Sequence, residues 1–135
     1  MNTLPLLYQY EHISPAGAEV RSEMSNDLAS VAHCTLPAGK ISKAVAHKTV
    51  IELWHIIAGK GEIWRRQGGE ELITTLEPGV TIDLPLGTDF QYRCLENSEL
   101  VFLCVTTPPW PGPDEVRYLE KGIWTATACP PFEEC

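Results

Sequence analysis

Apolar and polar residues alternate in short runs along most of the chain, and Gly, Pro, Asn and Asp separate the runs. Alternation with a period of two marks a strand with one buried face, and the 3.6-residue period of an amphipathic helix is almost absent. The pattern predicts strands over residues 8–13, 28–36, 41–47, 51–58, 61–67, 71–76, 80–84, 89–94 and 100–106. Turn sequences lie between them, among them Gly59-Lys60-Gly61, Gln67-Gly68-Gly69, Glu77-Pro78-Gly79 and Pro85-Leu86-Gly87. Each supplies Gly where φ must be positive or Pro where φ is preset. Many short strands with few crossovers predict an all-β, single-domain jelly-roll β-barrel, which removes most exposed sheet edges.

The same pattern divides the chain. Residues 1–27 are expected to add an outer strand and a loop, and 28–107 to form the barrel. From 108 the composition shifts, because Pro108-Pro109-Trp110-Pro111-Gly112-Pro113 cannot be a central strand. The segment 108–135 is therefore expected to leave the barrel as extended chain and pack back on it through Trp110 and Trp124. Its P-x-x-P spacing also suits an SH3-like groove, but a tail covering one barrel end needs fewer assumptions.

Composition narrows the partners. A chain of 135 residues is one domain by length, and 44% hydrophobic content is ordinary for a globular protein. A net charge of −8 argues against nucleic acid and anionic membrane surfaces, which call for basic stripes. Arg65-Arg66 is the only basic pair, and it reads as a solvated strand end or as a clamp for a carboxylate at the barrel rim. No apolar run approaches the roughly 20 residues that span a bilayer. The first eight residues lack the positive start and long apolar core of a signal peptide. A cytoplasmic, reducing location is expected, with the five cysteines as thiols. Cys34, Cys94 and Cys104 fall in strand-like runs, where cysteine acts as a small apolar residue. Cys129 and Cys135 flank the end of the tail, where a disulfide or a soft-metal clip is conceivable.

The spacing of residues 39–87 is the most specific signal. Gly39 is followed after five residues by Val45-Ala46-His47, then by Glu52 and Gly59; further on come Gly79, Pro85 and Gly87, then Phe90 and Cys94. These spacings resemble the two motifs of the cupin superfamily. The first motif is Gly, five residues, His-x-His, three or four residues, Glu, six residues, Gly. The second is Gly, five residues, Pro-x-Gly, two residues, His, three residues, Asn. His47 and Glu52 match, whereas Val45 and Phe90 stand where the resemblance expects histidines, and Cys94 stands for the Asn. The resemblance implies a cupin-type barrel, a homodimer, and one divalent transition metal (Zn, Fe, Mn or Ni) in members that keep all the ligands.

Period-two alternation places Val45 and His47 on one face of their strand, and Glu52, Trp54 and Ile56 on one face of the next. By the resemblance those faces look into the barrel, while His55 has the opposite parity and points out. Three readings of His47 and Glu52 stay open. One is a metal site completed by His33, or by Cys34 or Cys104. The second is a metal-free acid/base pair in an apolar barrel. The third is a hydrogen-bonded buried pair without chemistry. Trp54, Phe90, Tyr92 and Val45 would shape a pocket for a small-molecule ligand, and Trp64 reads more simply as barrel filling. The motifs of zinc fingers, metalloproteases, serine hydrolases, P-loops and dinucleotide folds are absent.

Overall fold

In the computed structural model, residues 1–95 and 97–128 are described. The described chain contains strands β1 (His12–Ile13), β2 (Glu19–Ser25), β3 (Ser30–Leu36), β4 (Val45–His47) and β5 (Ile51–Ala58). They are followed by β6 (Gly61–Gln67), β7 (Glu70–Leu76), β8 (Thr81–Leu84), β9 (Asp89–Cys94) and β10 (Leu100–Thr107). A 3-10 turn at Pro113–Glu115 then leads into β11 (Val116–Tyr118). Among the described residues no helix is long and apolar enough to cross a membrane.

The strands form two antiparallel sheets, ordered β1-β2-β3-β10-β5-β8 and β11-β4-β9-β6-β7. They face one another across an apolar interior built from alternate residues of each strand, including Leu36, Ile56, Ile63, Leu76, Leu100 and Phe102. The fold is the expected all-β jelly-roll barrel. Strand β5 shows the alternation most clearly, since Glu52, Trp54 and Ile56 are buried while Ile51, Leu53, His55 and Ile57 are exposed. The β5–β6 turn needs glycine twice over. Gly59 has φ 84°, and a side chain there would run into the carbonyl oxygen of Glu99.

Besides β4, which is cut from the expected 41–47 to Val45–His47, two elements differ from the sequence expectation. Two strands, rather than one, precede residue 28: the expected strand over 8–13 shrinks to His12–Ile13, and Glu19–Ser25 pairs along β3. Strand β2 hides its alternation because its register shifts between Arg21 and Met24, where Ser22 adopts φ 56°. The second is β11, which follows the proline run and pairs with β4, setting Val116 opposite His47.

The two sheets differ on their outer sides. Residues from Leu119 to Ala128 run over the second sheet, held by the fully buried Gln91. Gln91 donates from Nε2 to the carbonyls of Ser42 (2.9 Å) and Trp124 (2.8 Å), and its Oε1 accepts from the amides of Ile123 and Trp124 (3.0 Å each). The Arg93 guanidinium lies over the Trp124 ring at 4.3 Å. Trp64 is buried on this outer side in register with Gln91, not in the barrel, and donates to Glu71 at 2.9 Å. The outer face of the first sheet carries no such cover among the described residues.

Candidate functional site

A cavity of about 80 Å³ lies between the sheets, lined mostly by apolar and aromatic side chains. Strand β4 contributes Val45 and His47, β5 contributes Glu52 and Trp54, and β9 contributes Phe90 and Tyr92. All the expected catalytic and pocket residues therefore face one space, because each pair is separated by two positions on its strand. The cavity is about half the roughly 150 Å³ that accepts benzene in a protein core, so it suits a ligand of a few heavy atoms.

Its polar centre is Glu52. Trp54 Nε1 donates to Glu52 Oε1 at 2.9 Å, and Glu52 Oε2 faces His47 Nδ1 at 3.7 Å. Both side chains are 8% exposed. The 3.7 Å separation is too long for a hydrogen bond, so Oε2 is presented to the space beside the imidazole. Aromatic rings fix both partners. His47 meets the edges of Phe90 (5.3 Å) and Trp110 (5.5 Å), and Trp54 stacks on Phe102 at 4.0 Å. Trp110 arrives from the proline run, where its amide donates to Ser30 Oγ at 3.0 Å.

Burial and neighbouring groups act on the remaining ionisable side chains here. Burial pushes the Tyr92 phenol well above the usual tyrosine range, reinforced by the charges of Cys34, Glu52 and Cys104 and opposed by a hydrogen bond with Ser14. The Cys104 thiol is also raised well above the usual range, first by its hydrogen bond with Cys34, then by burial and by Glu52. Just outside the cavity, Glu115 behaves oppositely. Burial would raise its carboxyl, but hydrogen bonds from the Thr49 hydroxyl and amide and the Val50 amide outweigh that, and His47 adds to them. The net effect lowers it.

One sequence candidate is not brought to the site. Ala32 and Cys34 line the cavity, so alternation turns His33 to the outer face of β3, and it is absent from the cavity wall. There burial and the Arg21 charge lower its pKa, and its Nδ1 has no hydrogen-bond partner. His33 is thus not placed to join His47 and Glu52 as a ligand. Arg65 and Arg66 are engaged within the protein: Arg65 bonds the Asp83 carbonyl and Thr74, and Arg66 bonds Asp89 at 2.9 Å. The suggested clip of Cys129 and Cys135 lies outside the described residues. Sequence reasoning missed Ser30, Thr106 and Trp110, which line one side of the cavity with Ser30 and Thr106 hydrogen-bonded to each other. A long strand separation hides the hydroxyl pair, and proline composition disguises Trp110.

No protein-family model and no curated protein sequence matches the chain. Solved structures do. CapF, the capsular polysaccharide assembling protein of Staphylococcus aureus, superposes with a TM-score of 0.69 at 20% identity, over 88% of this chain and 33% of that one. Oxalate decarboxylase from Bacillus subtilis gives 0.72 at 18% identity, over 87% of this chain and 32% of that one. The protein BH2720 of Bacillus halodurans gives 0.60 at 17% identity, over 76% of each chain. The chain thus spans about a third of the length of CapF and of oxalate decarboxylase. These likenesses establish the fold, a cupin-type jelly-roll barrel.

That fold implies a metal, and the donor set can be tested against it. Val45 and Phe90 fill two of the ligand positions with buried apolar side chains. Of the motif ligands His47 and Glu52 remain, fewer than the three protein ligands of a catalytic site, and Cys34 and Cys104 line the same cavity. Among the described residues no three His, Cys, Asp or Glu side chains are grouped to hold an ion. The residues present do not fit the metal.

Proposed function

From this cupin-type barrel we propose that the protein binds a small, largely apolar molecule bearing one hydrogen-bond donor, such as a hydroxyl, enol or amine. The apolar body lies against Trp54, Phe90 and Tyr92, and the donor bonds Glu52 Oε2. The observation that carries this reading is the buried carboxylate itself. One oxygen is held by Trp54 and the other is turned into an apolar cavity toward His47. A ligand donor placed beside His47 would give that oxygen a hydrogen bond inside the apolar cavity.

A second reading is proton transfer on the bound molecule, with Glu52 and His47 as the acid/base pair. The facing of Oε2 and Nδ1 across 3.7 Å favours it, since a ligand atom between them would reach both groups.

A panel of alcohols, enols, amines and short carboxylic acids of about six heavy atoms or fewer, screened by thermal shift and ligand-observed NMR, tests both. Donor-bearing members should raise the melting temperature of the wild-type protein, and Glu52→Gln should weaken them at least tenfold. If the panel binds wild type and Glu52→Gln alike, the site is misassigned. Exchange of a ligand C–H with deuterated water, lost in His47→Ala, would establish the second reading over simple binding.

A further inference from the structure

Two thiols that neither reading uses face the same cavity. Cys34 on β3 and Cys104 on β10 are both free and buried, at 7% and 8% exposed. In the register Cys34 lies opposite Phe102 and Cys104 lies opposite Ala32, so the cysteines are diagonal neighbours across one strand pair. The neighbouring Cys34, burial and Glu52 together hold the Cys104 thiol well above its usual range. Both line the cavity wall, so a small molecule entering the cavity meets them together.

We propose that Cys34 and Cys104 are an oxidisable dithiol that closes to an intramolecular disulfide on reaction with a small hydroperoxide. The alternative use of two thiols, a soft metal ion, is disfavoured by the donor count. Among the described residues no third His, Cys, Asp or Glu side chain is grouped with them to hold an ion. A disulfide replaces two neutral groups with one neutral group.

The step balances with hydrogen peroxide as the oxidant. The Cys34 sulfur takes one peroxide oxygen as the O–O bond breaks, giving a sulfenic acid and water. The Cys104 sulfur attacks the sulfenic sulfur, the S–S bond forms and hydroxide leaves. The Cys104 proton passes through the adjacent Glu52 carboxylate to that hydroxide, giving a second water. Two thiol hydrogens and two electrons are lost to one peroxide.

Geometry also sets the character of the bond. Diagonal Cα atoms stand roughly 7–8 Å apart in an antiparallel pair, just beyond the usual disulfide range of about 4.4–6.8 Å. Closure must draw β3 and β10 together. Register shifts already loosen each strand on its other side, between Arg21 and Met24 and between Val101 and Phe102. A disulfide closed against such resistance is readily reduced, as labile rather than structural disulfides are.

The test uses the full chain carrying Cys129→Ser and Cys135→Ser, which leaves Cys34, Cys94 and Cys104. Protein treated with hydrogen peroxide is denatured, alkylated, and digested with trypsin and a glutamate-specific protease, which separates Cys94 from Cys104. The expected result is one alkylated cysteine in place of three, a linked peptide joining Cys34 to Cys104, and recovery of all three thiols with millimolar glutathione. Cys34→Ser and Cys104→Ser should each abolish the link; if either fails to fold, the peptide map of the parent chain decides alone. Full alkylation after peroxide, a link to Cys94, or sulfinic acid at either cysteine without a link would overturn the proposal.

Discussion

At the scale of single residues, the polar centre of the cavity depends on indirect support. Trp54 does two jobs: its ring stacks on Phe102 and its Nε1 holds one oxygen of Glu52. Trp54→Phe preserves most of the packing but removes the donor. We expect it to cost about 1–3 kcal/mol in urea unfolding, and the loss should shrink in a Glu52→Gln background, where the uncharged amide oxygen accepts a weaker bond. Glu115 provides a pH signature. Its folded carboxyl is lowered below its ordinary 4.5 by the Thr49 and Val50 donors. The stability it contributes is therefore present above pH 4.5 and is lost as pH falls toward the lower folded value. An acid titration of melting temperature should be shallower below that pH in Glu115→Gln; an unchanged slope would show that other carboxylates set it. Parity grouped His47, Glu52, Trp54, Phe90 and Tyr92 on common strand faces, and the cupin resemblance implied that those faces look into the barrel. The same parity turns His33 away, since it lies between the cavity residues Ala32 and Cys34. Cys34 and Cys104 read as small apolar residues or as single completing ligands, not as a pair, because their meeting is a matter of register, which one strand's pattern does not contain.

At the scale of elements, strands with clean alternation and a glycine turn were read to the residue, as β5, β6 and β9 show. The elements that escaped are those whose pattern is interrupted. A bulge at Ser22 breaks β2, and β11 is a three-residue strand that exists because β4 offers it an edge. The run from Leu119 to Ala128 is likewise placed by tertiary contacts, with Gln91 supplying four hydrogen bonds from a single buried amide. Gln91→Ala should destabilise the protein by about 3 kcal/mol and expose the Ile123 and Trp124 amides to hydrogen exchange. Gly122→Ala should have the same effect on exchange, because its methyl would meet Gln91 Oε1 at 2.1 Å. Unchanged protection in both variants would mean that other contacts hold the strap.

At the scale of the whole molecule, the uncovered face of the first sheet stands out. Its central strands β3, β10 and β5 turn Val31, Leu103, Ile51, Leu53 and Ile57 outward, each at least 37% exposed. The outward positions of those strands carry His33 and His55 but no carboxylate. For a chain of net charge −8, this is a face on which two copies can meet without acidic repulsion. We infer a homodimer formed there. Leu53→Glu combined with Leu103→Glu should halve the mass seen by light scattering while leaving the melting profile cooperative, and a wild-type monomer at micromolar concentration would refute it.

The edge contact between Trp110 and His47 also has an optical consequence. A protonated imidazole accepts an electron from excited indole more readily than a neutral one does. With the rings 5.5 Å apart, the emission of Trp110 should therefore follow the charge on His47. The proline run thus supplies a natural fluorophore at the cavity, through which the state of its histidine can be followed without a label.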